Sequence, residues 1–412
     1  MRLSSKKIAS VLMSILMLSI AILSMAVSII EHKSNVVAQS SVEYFVANGE
    51  VYMKLPDGTT KAIYLTGVNW FGFETTNYVV HGLWARNWVD MLNQMKSLGF
   101  NAIRLPFCPP SVTPGTTPSS IDYNKNPDLQ GLDSVSIMEK IIQKAGELGI
   151  FIILDFHRIG CNDIEPLWYT SSFTEQDYIN VWKSVAQRFG KYPNVVGADL
   201  KNEPHCPSGM SRQDCYTSGQ GATWGVGNQN TDWNLAAERI GNAVLSVAPH
   251  WLIIVEGTQY TNPKSDNVPL YPDAVYWGEN LRAVKDYPVN LPSNKLLYSA
   301  HEYGPDVYVQ PYFNDPNIYP NNLYQIWKQN WGYVKSDLGL PVFLGEFGGK
   351  YGHGGDSRDV TFQQKLVDYL INTGICWWTY WSWNPNSGDT GGILQDDWTT
   401  IWQDKYDNLK RS

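Results

Sequence analysis

From residue 62 onward, short apolar runs alternate eight times with amphipathic stretches of helical period. The runs are AIYLTGVNW (62–70), NAIRLPF (101–107), GIFIILDFH (149–157), NVVGADLKNE (194–203), HWLIIVEG (250–257), KLLYSAHEY (295–303), LPVFLGEFG (340–348) and GICWWTYWSW (374–383). Their β-branched and aromatic content reads as strand. Between them WARNWVDMLNQMKSLG (84–99), SVSIMEKIIQKAGELG (134–149), WNLAAERIGNAVLSV (233–247) and DVTFQQKLVDYLINTG (359–374) read as helices, several ending on a capping glycine. Strand and helix in alternation throughout predict an α/β chain folded as a TIM (β/α)8 barrel with long βα loops at its C-terminal face. One such domain accounts for residues 39–412.

In that architecture active sites form where the strands end. The predicted ends carry Trp70, Arg104, His157, Asn202 with Glu203, Glu256, His301 with Tyr303, Glu346, and Trp381 with Trp383. A barrel core has no use for unpaired charge, because removing one partner from a buried ion pair costs about 3–5 kcal/mol. These groups are therefore expected to converge at the barrel mouth and satisfy one another.

Residues 1–38 are of another kind. Lys6 and Lys7 precede an apolar run from Ile8 to Ile30, and Val36 and Ala38 precede Gln39. The pattern predicts a secretory signal processed after Ala38, with an uncleaved anchor over residues 8–30 as the alternative. Both readings put the remainder outside the cytoplasm. A net charge of -8, with scattered Lys and Arg, argues against a nucleic-acid surface. No protein partner is implied. With 17 Trp and 24 Tyr the chain is rich in flat apolar rings of the kind that pack on sugar faces, although a large core would also consume them. The sequence has no CxxC or HExxH pattern, so neither a metal site nor a cofactor is expected.

The segments VNWFGFE, NAIRLP, DFH, KNEP, SAHEY, GEFG and YWSWNPNSGDTGG occur in this order at the strand ends. Together they resemble the retaining β-glucanases of glycoside hydrolase family 5, in clan A, and especially its bacterial and archaeal endoglucanases. The likeness runs from about residue 44 to the C-terminus. It implies an endo-β-1,4-glucanase (cellulase) that cleaves cellulose-type polysaccharide with Glu203 as acid/base and Glu346 as nucleophile. Chemistry divides the labour in the same way: retaining hydrolysis needs two carboxyl groups about 5–5.5 Å apart, one protonated and one ionised. The resemblance places Arg104 beside the nucleophile, where its charge favours the anion, and the Glu346 anion in turn keeps Glu203 protonated.

Asn202 is expected to meet the sugar 2-hydroxyl, Tyr303 to contact the nucleophile, and His157 and His301 to orient neighbours. Trp381 is the expected platform beside the cleaved bond, with Trp70 and Trp277 as candidates for neighbouring subsites. Glu256 has no role in the carried-over set and reads as a structural, loop-anchoring carboxylate. Family relatives often bridge the cysteine after DFHR to one near the ETxNY segment, but here that position is Thr76, so this bridge cannot form. A substitute Cys108–Cys161 bond is expected because the two cysteines follow neighbouring strands. Cys206–Cys215 is expected to close the loop after Glu203, leaving Cys376 as a free buried thiol. Two other functions compete with the glucanase. A β-mannanase or other β-glycanase would share the catalytic pair, and a non-catalytic carbohydrate-binding barrel would be expected to lack one of the glutamates.

Overall fold

The structure, a computed structural model, describes residues 42–412. The expected signal or anchor over residues 1–38 lies outside the described residues. Among the described residues no helix is long and apolar enough to cross a membrane.

Eight parallel strands close into a barrel: β4 (Leu65–Asn69), β5 (Ala102–Phe107), β6 (Phe151–Phe156), β7 (Val195–Asp199), β8 (Leu252–Glu256), β9 (Leu296–Tyr303), β10 (Val342–Gly348) and β11 (Trp377–Tyr380). They lie side by side in chain order, with β11 returning to pair with β4. Every predicted strand is present, trimmed at its ends. The long helices pack apolar stripes on the barrel: in Ser134–Glu147 the buried face includes Val135, Met138, Ile142 and Ala145, spaced three or four apart. Asp133 caps its first turn by accepting the Ser136 amide at 3.0 Å. Arg358–Thr373 stops at Gly374, whose φ of +67° suits a residue without Cβ.

Two features depart from strict strand-helix alternation. No helix occurs between β8 and β9, where residues 257–295 form turns that fold over the mouth instead. Its turn-forming sequence, TNPKSDNVPLYPD, has no helical period. The second is a small antiparallel sheet of β1 (Glu43–Ala47), β2 (Glu50–Lys54) and β3 (Thr60–Ala62). Its first turn is Asn48–Gly49, both at positive φ, as a two-residue hairpin requires. Tyr44, Val46 and Val51 pack onto Leu65, Ile153, Val196 and Phe343, a cluster separate from the main core. The hairpin thus covers apolar positions at the starts of the strands, leaving the strand ends free for chemistry.

Eleven of the 17 tryptophans, among them Trp70, Trp377 and Trp383, are fully buried. The aromatic richness of the chain is therefore mostly core.

Candidate active site

Arg104 is the hub of the barrel mouth. It is fully buried on β5. Its Nη1 donates to Glu346 Oε1 at 2.6 Å and to Asn69 Oδ1 at 3.0 Å. Its Nη2 reaches Glu256 Oε1 and Asn202 Oδ1, both at 3.0 Å, and Nε donates to Asp199 Oδ2 at 2.9 Å. Asp155 Oδ1 lies 3.1 Å from Nη2. A guanidinium offers five donors in a rigid fork, and here carboxylates and amides from strands around the barrel take them. Burial opposes the charge, but Asp155, Asp199, Glu346 and Glu256 hold the Arg104 pKa well above its ordinary value.

The two glutamates named from the sequence come together. The oxygens of Glu203 and Glu346 and a nitrogen of His301 lie within 4.8 Å of one another. Their surroundings differ. Glu346 Oε2 accepts the Tyr303 hydroxyl at 2.6 Å, while Oε1 takes Arg104. Glu203 Oε1 contacts His301 Nδ1 at 3.0 Å and has no arginine. Burial pushes Glu203 up to about 7; the His301 hydrogen bond works against this, and the negative charge of Glu346 adds to it.

Glu256 takes a central place. Its Oε2 accepts the backbone N–H of Glu203 at 2.7 Å while Oε1 serves Arg104. Burial would raise its pKa, but His301 and Arg104 draw it down to about 2. It does anchor the loop, and it is also the buried negative charge that holds His301 protonated. Burial disfavours the imidazolium, yet Glu256 and Glu346 raise its pKa well above the ordinary value. His157 behaves in the opposite way, lowered by burial and held through Nδ1 to Asp155 at 2.6 Å. Asn202 is fully buried; Arg104 occupies its Oδ1, and its Nδ2 donor has no partner.

Glu203 and Glu346 face a cleft of about 950 Å3, walled by Trp277, Tyr303, His157 and Trp381 among others. Trp381 stacks against Phe71 (centroids 5.2 Å apart, 8° between planes) and His157 (5.5 Å, 14°) and stays partly exposed to the cleft. Trp277 lies flat on His205 at 3.6 Å, and His205 Nδ1 contacts the carbonyl of Glu203 at 2.7 Å. Trp70 does not belong to this wall. It is fully buried with its indole N–H on the His81 carbonyl at 3.0 Å, so the expected sugar-facing role is corrected to a packing one. Its strand end points the ring into the shell beneath the loop.

Cys108–Cys161 and Cys206–Cys215 are bonded, with Cα separations of 5.4 and 5.8 Å. Cys206 of the second pair lines the cleft just after Glu203, and Cys215 ties it to the short helix Arg212–Ser218. Cys376 is free but only partly buried, contrary to expectation, because it sits at the exposed start of β11. Asp155, Asp199 and Asn69 were not singled out from sequence. Each lies inside or at the end of a predicted strand, where an acid or amide in an apolar run is the available signal.

Two clusters, Asp199–Glu256–His301 and Glu203–His301–Glu346, are close enough to hold a cation. His301 belongs to both, and as an imidazolium it has no lone pair to offer a metal. Together with Arg104 it already supplies the positive charge these carboxylates need.

The family profile Cellulase (glycosyl hydrolase family 5) matches residues 59–387. The chain belongs to glycosyl hydrolase family 5. Within it, the chain is 50% identical over 357 residues to the major extracellular endoglucanase of Xanthomonas campestris pv. campestris, covering 87% of this chain and 69% of that protein. It is 48% identical over 364 residues to an endoglucanase of Paenibacillus polymyxa, covering 87% and 85%. Among solved structures, the hyperthermophilic endocellulase of the archaeon Pyrococcus horikoshii superposes with a TM-score of 0.89 at 66% identity, over 90% of this chain and 98% of that one. That endocellulase has also been solved in complex with cellotetraose. The family 5 barrel here thus has a near neighbour with a glucan oligosaccharide bound.

Proposed function

We propose that the protein is an endo-β-1,4-glucanase that hydrolyses internal bonds of cellulose-type glucans with retention of configuration. The observation that carries this reading is the unequal pair Glu203 and Glu346, within 4.8 Å of each other at the floor of a cleft. One oxygen of each carboxyl lies within that reach of one of the other's, which supports the about 5–5.5 Å geometry of a retaining pair over the about 6.5–9.5 Å of an inverting pair that admits water. Family membership and the endoglucanase names of its relatives support the substrate class.

Glu203, pushed up to about 7, is the acid. It gives its proton to the glycosidic oxygen while Glu346 attacks the anomeric carbon; the C–O bond breaks as the glycosyl-enzyme ester forms. Esterification removes the negative charge of Glu346, which weakens the hold of Glu203 on a proton and lets it act as base toward water. Water then attacks the same carbon, and Glu346 leaves as carboxylate. Arg104 and the Tyr303 hydroxyl hold Glu346 in line through both steps. The unpartnered Nδ2 of Asn202 is the donor for the 2-hydroxyl, a bond that strengthens as the oxocarbenium character grows. Trp381 carries the sugar beside the cleaved bond, and Trp277 the one across it.

Extracellular operation belongs to this proposal. The two disulfides and the leader-like residues 1–38 support it. The deciding experiment is proton NMR of cellopentaose hydrolysis. β-anomers appearing before mutarotation support retention; α-anomers appearing first overturn it.

A further inference from the structure

Every other arginine among the described residues donates to a side chain or a carbonyl. Arg158 does not. It follows His157 at the end of β6, is half-buried, and lines the cleft; its Nε is shielded from solvent and has no partner. Its charge acts on Glu74, His81 and His157, which puts it on the side of the mouth where Trp381 stacks on His157 and Phe71. The Glu74 carboxyl feels its attraction, but none of these neighbours gives it a hydrogen bond or ion pair. Glu74 spends Oε2 on the Gly72 amide at 2.7 Å and forms no ion pair, and burial pushes its carboxyl up to about 7.

A guanidinium Nε shielded from water with no acceptor is costly in the free protein, and the cost is recovered when a ligand brings one. The contrast with Arg104 is instructive. That side chain spends its donors on the protein and is positioned; Arg158 keeps its donors for something that enters the cleft.

We propose that Arg158 is a substrate-binding residue whose guanidinium donates paired hydrogen bonds to neighbouring hydroxyls of the glucan on the Trp381 side of the cleft. The proposal rests on the reading of the cleft as a glucan site. A planar fork suits two oxygens held side by side on a sugar ring, and the positive end makes each bond charge-assisted. Loss of such contacts weakens binding by roughly ten- to a hundredfold.

The test uses cellotetraose binding to the Glu203→Gln protein by titration calorimetry, with and without Arg158→Gln, alongside melting temperatures. The expected result is a rise in Kd of at least roughly tenfold from Arg158→Gln with a nearly unchanged Tm, since Arg158 makes no hydrogen bond or ion pair in the free protein. In the otherwise unmodified enzyme the same substitution raises KM for cellotetraose more than it lowers kcat. An unchanged Kd overturns the proposal. So does weaker binding accompanied by a drop in Tm of more than about 5 °C, which marks a packing role. If Arg158→Gln does not fold, Arg158→Lys takes its place: it keeps the charge but not the fork, so a several-fold loss is expected and undiminished affinity overturns the paired contact. Failure of the Glu203→Gln parent itself to bind cellotetraose overturns the glucan reading of the cleft, and the role of Arg158 with it.

Discussion

Glu256 Oε2 holds the backbone N–H of Glu203 at 2.7 Å, and Glu203 sits at a φ of +48°. A non-glycine residue in that region costs about 1–3 kcal/mol and persists only where its surroundings insist on it. The anchor therefore sets the direction in which the Glu203 carboxyl enters the cleft.

Glu256→Gln tests this anchor. An amide cannot accept at both ends, so either Arg104 or the Glu203 amide faces an N–H, and the counter-charge of His301 is lost. A buried donor left without a partner costs about 1–3 kcal/mol. The expected outcome is a fall in kcat of roughly ten- to a hundredfold with a lower Tm, read by cellotetraose kinetics and calorimetry.

The acid role proposed for Glu203 fixes the alkaline side of the pH profile. Burial, with Glu346, raises its folded pKa to about 7, above the ordinary carboxylate value. Its proton is present below that pH and lost above it, so kcat/KM declines as pH rises through about 7. The same sign governs stability: the group stabilises the fold fully below its unfolded pKa and progressively less up to about 7. Glu346→Gln removes the neighbouring charge, and carboxyl-carbon NMR of that variant should find Glu203 titrating at lower pH. An unmoved titration would disconnect the pair.

Gly278 faces the same glutamate from the loop that replaces the missing helix. Its φ is +72°, and a Cβ there would lie 2.8 Å from Glu256 Oε2 and 3.3 Å from both Cα and Cγ of Glu203. Gly278→Ala is expected to lower kcat at least roughly tenfold and to destabilise by about 1–3 kcal/mol, from strain and crowding together. Full activity in this variant would show that the loop yields without disturbing Glu203.

Behind the site, the carboxyls of Glu279 and Glu302 are both buried and act on each other's charge. The first belongs to the loop carrying Trp277 and the second to β9, which carries His301 and Tyr303. Tyr276 N, Asn330, Trp331 and the charge of Arg282 face the pair. Burial raises Glu279 to about 7 and Glu302 well above the usual range, so the protons these carboxyls keep support the fold at low pH and that support is lost as pH climbs. Tm is expected to fall between pH 5 and 9. Glu302→Gln, whose amide donates at any pH, should flatten that slope; an identical slope in both proteins would refute the link.

Strand count, the barrel and the two glutamates that meet at its mouth were legible in the sequence because each is carried by a local run of residues. Apolar runs of strand length announce themselves, and a carboxylate that ends such a run, as Glu203 and Glu346 do, has few places to go but the mouth. What surrounds those carboxylates was decided by tertiary structure. Asp155 and Asp199 become neighbours through the β6–β7 register, His301 faces Glu346 only after a shift in the β9–β10 register, and Asn69 meets Arg104 across β4–β5. A register is a property of two strands, and a charge ring of the whole barrel, so no single run of residues encodes it. Trp70 and Trp381 make the same point for aromatics. Both end predicted strands, yet Trp70 turns into the shell and Trp381 into the cleft. Local sequence supplies two equivalent indoles; the loops packed around each determine which one keeps a free face.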